Sequence, residues 1–270
     1  MTASRSIIIL GCGYTGQWIY RLAKQRSLPV RASSRRPEHQ LGAVDPQERL
    51  RFDLANSSTW SGLPPDADLI WTFPATPLEQ VQAFASQQCG TFRRLVVLGS
   101  TSAYELDRAP ADGLPPWLDE SAPIDTRLSR VQGEEYARIR HGATILRVAG
   151  IYGPNRNPVD WVRQGLVGPI SKFVNLVHVE DLAHLCLLAL EAGRPGETYN
   201  VSDGQPRRWV DICAEISRRW GVVSPRQTNS LGSGKRILNR KLVAHFNYTF
   251  RHPDIDEGLQ TMQTPSPPWG

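Results

Sequence analysis

The 270-residue sequence contains only four cysteines, Cys12, Cys89, Cys186 and Cys213, and no CxxC spacing. A set so scattered excludes a disulfide framework and fits buried thiols in a reducing compartment. Long hydrophobic runs are missing as well: nothing approaches the roughly 20 apolar residues that a membrane-spanning helix needs. The opening stretch MTASRSIIILGCGYTG offers one arginine and four consecutive aliphatics before Gly11. That is too little for the core of a signal peptide, so it reads as a first buried strand, and a cytoplasmic location is expected. There is no internal repeat and no low-complexity block. Neither sign of charge dominates: 31 Lys and Arg against 26 Asp and Glu leave a net charge of +5. Without a long basic run or basic residues interleaved with aromatics, nucleic acid is not an expected partner, and an anionic small ligand accounts for the mild excess. What is present is 40% hydrophobic and 21% charged residues, which predicts a packed core. The length suits one large α/β domain, or one domain with a small appendage.

The first half alternates short aliphatic runs with amphipathic stretches. Strands are expected at 6–10, 29–33, 50–54, 67–73, 93–100 and 143–150, with helices at 16–26, 77–88 and about 127–140. Strands bounded by turn residues and alternating with helices predict a Rossmann-type, doubly wound parallel sheet. The second half is richer in Gly and Pro, with helices expected at 178–192, 208–221 and 238–247. The predicted organisation is a nucleotide-binding lobe of 1–150 plus 176–203 and a small C-terminal substrate lobe of 151–175 plus 204–270. The Pro-rich tail, TPSPPWG, is expected to fray.

GCGYTG, residues 11–16, is a GxGxxG placed between a strand and a helix, and that context makes it informative. Gly11 permits a tight turn, Gly13 lets the backbone approach a pyrophosphate, and Gly16 lets helix and strand pack closely. Tyr14 and Thr15 complete the loop, whose helix N-terminus favours an anion. A site for NAD usually ends the second strand with an acid that accepts from the ribose 2′-OH. This chain instead has Ser34, Arg35 and Arg36, a hydroxyl and guanidinium groups suited to a 2′-phosphate, so NADP(H) is expected over NAD(H). Solvated loop charges are the competing reading of the two arginines. Asp53 and Leu54, after the third strand, are placed beside the adenine, although Asp53 serves equally well to cap a local turn. Phe73 and Pro74, at the end of the fourth strand, are expected to line the cofactor cleft.

Taken together, GCGYTG, FDL, VVLGSTSAY, ILRVAGIYGP, NLVHVEDLA, ETYNVSDG and RHPDIDEGL resemble the extended, and more closely the atypical, short-chain dehydrogenase/reductase superfamily of NAD(P)-dependent sugar-nucleotide epimerases and dehydratases. The resemblance runs through nearly the whole chain. It implies a Rossmann lobe, a small substrate lobe, and chemistry by a Ser or Thr after the fifth strand together with a Tyr-x-x-x-Lys on the next helix, the tyrosine moving a proton while hydride passes to or from the cofactor. Ser100 matches the hydroxyl. In TRLSRVQGE the frame places Arg130 at the lysine and Thr126 at the tyrosine. Arg130 keeps a positive charge for the nicotinamide ribose, but a threonine hydroxyl is far too weak an acid to replace a phenol. Three accounts stay open: Tyr104, Tyr136 or Tyr152 does the work; Ser100 or a water relays the proton; or catalysis is lost.

The expected function is accordingly an NADP(H)-binding oxidoreductase or epimerase-like protein acting on a small polar, perhaps sugar-related, substrate. The alternative is an NADP(H)-binding sensor without turnover. His178, Asp181 and His184, spaced by three, invite a metal reading but lack a third strong ligand nearby, so no metal is expected. LGSGKR, residues 231–236, lacks the first glycine and the Ser/Thr of a phosphate-binding P-loop. Arg156 would hold a substrate phosphate or carboxylate, or is a solvated loop residue.

Overall fold

The structure is a computed structural model that describes residues 6–104, 114–225 and 234–262; the tail and the first half of LGSGKR lie outside them. In chain order the strands are β1 (Ile7–Leu10), β2 (Val30–Ser34), β3 (Arg49–Arg51), β4 (Asp68–Trp71), β5 (Arg94–Ser100), β6 (Trp117–Leu118), β7 (Thr144–Val148), β8 (Gly150–Tyr152), β9 (Phe173–Val174), β10 (Leu176–His178), β11 (Thr198–Val201), β12 (Arg207–Arg208) and β13 (Arg236–Ile237). The helices are α1 (Tyr14–Gln25), α2 (Pro37–Gln40), α3 (Leu78–Gln88), α4 (Ser129–His141), α5 (Pro158–Arg163), α6 (Val179–Ala192), α7 (Trp209–Trp220), α8 (Arg240–Phe246) and α9 (Ile255–Thr261). None of them is long and apolar enough to cross a membrane.

Seven strands form one sheet in the order β3-β2-β1-β4-β5-β7-β11. β1 pairs in parallel with both β2 and β4, β2 with β3, and β4 with β5. Ile145 donates to Glu197 O and Ala149 to Val201 O, four residues on along both strands, so β11 runs parallel to β7. The chain starts in the middle of the sheet, builds to one side as far as β3, and returns past β1 to build the other side. The crevice where strand order reverses lies at the carboxyl ends of β1 and β4, the place where open α/β sheets bind ligands. β1 and β4 are buried along their full length, which is why they read as uninterrupted apolar runs rather than as alternating ones.

The chain divides into two compact units, Met1–Ala103, Ile124–Arg147 and Leu182–Tyr199 in the first, and Tyr104–Pro123, Val148–Asp181 and Asn200–Gly270 in the second. The core of the first joins Ile8, Leu10, Leu69, Val97 and Ile145 of the sheet to Val81, Phe84 and Ala85 of α3. Phe84 is its hub, meeting Phe52, Trp60 and Trp71 edge-to-face at 5.3–5.4 Å. Each such pair contributes about 0.5–1.5 kcal/mol beyond area burial. Gly133 sets how close α4 comes to the chain after β4: a Cβ there would stand 2.0 Å from the Ala75 carbonyl oxygen.

The second unit has its own core of Tyr152, Val159, Val162, Leu176, Trp209, Ile212, Ile216, Ile255 and Leu259. Three short strand pairs, β8–β10, β9–β12 and β6–β13, lie in it. The fully buried Asp181 knits its C-terminal part together: Oδ1 accepts from the Tyr248 hydroxyl at 2.7 Å and the Arg251 N–H at 2.8 Å, and Oδ2 accepts from the His252 N–H at 3.0 Å. Burial, then the neighbouring His252, push His178 down to about 3, so that imidazole is neutral. Arg156 is exposed in a tight loop, its N–H bonded to Gly153 O.

Candidate functional site

The glycine turn joins β1 to α1. Gly11 has φ +82°, a conformation that favours glycine, and a Cβ on it would meet Phe73 Cδ1 at 2.6 Å. Gly16 is equally confined, with Gly11 O at 3.0 Å and Ile9 Cγ2 at 3.2 Å from its would-be Cβ. Gly13 has nothing within 4 Å and is exposed. So two glycines are demanded by the fold, while Gly13 leaves open space over the backbone. It is also the N-cap of α1, makes no side-chain cap, and is followed by a first turn without acids. The positive end of a 12-residue helix therefore faces that space. α1 begins at Tyr14, two residues earlier than expected, which brings Tyr14 and the buried Thr15 into its first turn.

β2 supplies the next part of the site. Ser33, fully buried, accepts from the Gly11 N–H with its hydroxyl at 3.2 Å and from the Cys12 N–H with its carbonyl at 2.8 Å, tying the glycine turn to the neighbouring strand. The sequence reading passed over Ser33, although the signal was there: two serines in succession at a strand end must point to opposite faces. Ser34 closes β2 with a buried hydroxyl that has no hydrogen-bond partner among the described residues. Arg35 and Arg36 follow as exposed side chains, Arg36 at the N-cap of the short α2. Asp53 lies in a turn in which Oδ1 accepts from the Ala55 N–H at 3.0 Å, and its carbonyl accepts from the Trp60 indole N–H at 3.0 Å, with Leu54 buried beside it. Phe73 packs on Gly11 and, at 5.1 Å, on Trp71; Pro74 is exposed.

At the end of β5, Ser100 Oγ accepts from the Ser102 N–H at 3.2 Å, and Ser102 Oγ receives Arg130 Nη1 at 3.4 Å. Ser100 and Arg130, 30 residues apart, thus come to one place. Thr126 does not lie on the helix that carries Arg130, where the frame of the resemblance put it. α4 starts at Ser129, and Thr126 is exposed in the preceding turn. The cause is Asp125: its carboxylate accepts from the Arg127 N–H at 3.0 Å and its carbonyl from the Leu128 N–H at 3.2 Å, a local turn that competes with the helix. Thr76 and Ser129 join hydroxyls at 2.7 Å at the helix start.

The three tyrosines offered as substitutes are all engaged elsewhere. Tyr104 is buried and donates to Asn200 Oδ1 at 2.6 Å. Tyr152 is buried and donates to Asp254 O at 3.2 Å, and burial raises its phenol well above the ordinary value. Tyr136 packs on the first core and meets Ser86 Oγ at 3.4 Å, on the α3 side of α4.

Glu134, the last residue of TRLSRVQGE, is one that the sequence pattern does not single out. It is fully buried, and neither carboxylate oxygen has a hydrogen bond of normal geometry among the described residues. A Cβ on Gly99 would stand 2.6 Å from Oε2, so the carboxylate lies against the backbone just before Ser100. Arg130 Nε is 3.9 Å from Oε1. Burial pushes Glu134 up to about 7, against the attraction of Arg147 and then Arg130, while Glu135 adds to the rise and the Ser100 N–H opposes it. Arg147 is itself buried and paired with Glu135 at 3.1 Å. A buried carboxyl held up to about 7 therefore sits behind the Ser100–Arg130 pair.

Strand order and the glycine turn between β1 and α1 give a doubly wound, Rossmann-like α/β fold, similar to that of solved short-chain dehydrogenase/reductase and epimerase/dehydratase structures. The solved structures most usefully set beside it are three. A short-chain dehydrogenase/reductase superfamily protein of Agrobacterium tumefaciens, with bound NAD, is 16% identical with TM-score 0.78, covering 96% of each chain. The dTDP-glucose 4,6-dehydratase of Bacillus anthracis, in complex with NAD, is 14% identical with TM-score 0.75, covering 96% of this chain and 95% of that one. The Bordetella bronchiseptica enzyme WbmG, also with NAD, is 14% identical with TM-score 0.76, covering 97% and 94%. Likeness at these identities establishes the shared fold. In sequence, the chain is 34% identical over 114 residues to Protein YeeZ of Escherichia coli K12, a match spanning 41% of either protein. No protein-family model matches the chain.

Proposed function

We propose that this chain is a member of the extended short-chain dehydrogenase/reductase group, an NADP(H)-dependent oxidoreductase or epimerase-like protein acting on a small polar, possibly sugar-related substrate. The observation that carries the reading is Gly13, an open backbone position at the uncapped N-terminus of α1, between two glycines that the packing demands. That arrangement suits a pyrophosphate. Gly11, Gly13, Tyr14, Thr15 and Gly16 would hold the diphosphate. Asp53 and Leu54 would flank the adenine, and Phe73 and Pro74 the remainder of the cofactor. The Ser34 hydroxyl, without a hydrogen-bond partner among the described residues, and the two exposed arginines after it would take a 2′-phosphate. The three neighbours described above carry NAD, so preference for the phosphorylated form rests on Ser34, Arg35 and Arg36 alone.

When bound, the nicotinamide supplies or accepts a hydride. Ser100 would present a hydroxyl to the substrate, Arg130 would hold the ribose with its fixed positive charge, and Glu134 would tune that charge from behind. Thr126, in an exposed turn before α4, would have no acid role. Proton movement then falls to Ser100 or to a water it orients.

A second reading, NADP(H) binding without turnover, is favoured by the engagement of Tyr104, Tyr136 and Tyr152 in other contacts. Titration of the full chain with NADPH and NADH, followed by fluorescence, tests the common part. NADPH is expected to bind more tightly, and Arg35→Ala with Arg36→Ala to weaken it about tenfold or more while barely changing NADH. Equal losses for both cofactors would overturn the 2′-phosphate assignment. Selective binding with no change in reduced-cofactor absorbance across a panel of small polar substrates would favour the sensor.

A further inference from the structure

The sequence reading weighed His178, Asp181 and His184 as metal ligands. In the structure Asp181 spends its carboxylate on the chain around Arg251, and His184 Nδ1 meets Arg26 at 2.7 Å. A different set converges instead. His178 ends β10, Glu180 stands in the first turn of α6, and His252 arrives from 72 residues further on. One ligand-type atom from each lies within 4.8 Å of the others. His178 Nδ1 accepts from the Glu180 N–H at 3.3 Å, which fixes the orientation of the ring. His252 Nε2 is 3.0 Å from Glu180 Oε2. The two rings lie 3.6 Å apart between centroids.

We propose that His178, Glu180 and His252 form a binding site for a single divalent transition-metal ion of the zinc class, completed by water. Two imidazoles and one carboxylate are a donor set typical of zinc with one open position. The separation fits as well: an ion about 2.0–2.1 Å from two ligands of a tetrahedron spans them by roughly 3.4 Å, against the 3.0 Å found between His252 and Glu180. An ion therefore fits between those two groups with a shift of a few tenths of an ångström.

Burial differs across the three in the way such a site needs. His178 and His252 are 3% and 7% exposed, giving two fixed ligands. The Glu180 side chain is 35% exposed, giving a route in and room for the water. His252 Nδ1 is buried with no hydrogen-bond partner among the described residues, so the ring has not been placed there to satisfy both nitrogens within the fold. Asp181 fixes His252 by holding its backbone N–H, and thereby sets the distance between two ligands far apart in sequence. The opposing charge is Arg251, whose Nη1 is 3.4 Å from Glu180 Oε1; at 55% exposed it has solvent to move into.

Imidazole and carboxylate ligands favour zinc, cobalt or nickel over magnesium and calcium, which prefer oxygen. The ion would clamp residue 252 to the β10–α6 junction inside the second unit, so its first effect is on stability. The test is calorimetric titration of the chelator-stripped full chain with Zn2+ alone, repeated with Co2+ to read the ligand geometry by absorbance. One equivalent is expected, with the tetrahedral cobalt spectrum. Glu180→Gln, at a partly exposed position, keeps the fold and should weaken binding about tenfold or more; His252→Ala, checked for folding by circular dichroism, should abolish the cobalt spectrum. Absence of stoichiometric binding to the wild type, or equal affinity in Glu180→Gln, would overturn the proposal.

Discussion

Replacing Glu134 by Gln should make the protein more stable, and more so the higher the pH. In the unfolded chain this carboxyl titrates near its ordinary value of 4.5; in the folded chain it is held up to about 7. Below pH 4.5 both states carry the proton and the residue contributes no pH dependence. Between 4.5 and 7 the unfolded state has released its proton while the folded state keeps it, so the folded state binds more protons and stability falls as pH rises. Above 7 both are ionised and the full penalty is present. The interval, at about 1.4 kcal/mol per pH unit, amounts to about 3 kcal/mol. A glutamine has the same shape and no charge to bury. Wild type and Glu134→Gln should therefore match within about 1 kcal/mol at pH 4.5, and diverge to about 3 kcal/mol in favour of the variant by pH 8. Paired urea titrations at half-unit steps of pH measure this directly, because every other titrating group cancels in the difference. A gap that stays constant with pH, or one that grows in favour of wild type, would refute the reasoning. The latter would mean that Arg130 and Arg147 outweigh burial and hold Glu134 ionised.

Two glycines give further tests with opposite outcomes. Gly133→Ala would gain up to about 1 kcal/mol of helix propensity, yet its Cβ would lie 2.0 Å from the Ala75 carbonyl oxygen. Overpacking of that severity costs about 1–3 kcal/mol or more, so a net loss is expected in the urea midpoint, and an unchanged midpoint would show that α4 shifts freely. Gly13→Val should leave the melting temperature nearly unchanged, since its Cβ meets nothing within 4 Å. It should cost NADPH affinity tenfold or more, whereas full retention of affinity would place the pyrophosphate elsewhere.

Much of this architecture was written in the chain where periodicity has room to act. Four-residue runs such as IIIL and DLIW, buried on both faces, could only be inner strands, and GCGYTG between a strand and a helix marked its own turn. Two-residue strands such as β6, β9, β12 and β13 carry no period and gave no signal. The start of α4 was misplaced because Asp125 closes a turn on its own side chain, a choice that hydrophobic spacing does not register. Ser33 and Ser34 could not be told apart until the phase of β2 was known. Glu134 looked like any helix carboxylate, because its environment comes from Gly99 and Arg147 on two other strands. The His178–Glu180–His252 group joins residues more than 70 positions apart, a distance across which spacing says nothing.

Asp181 also imposes an order of events on a growing chain. Its three hydrogen-bond donors lie 67 to 71 residues later, so during synthesis its carboxylate has only water to bind until residues 248–252 have been made. The described residues of the first unit, by contrast, are all in place once Tyr199 has been added. During synthesis, then, the parts of the first unit are complete while the second still waits for residues 248–252, and only their arrival satisfies the buried acid.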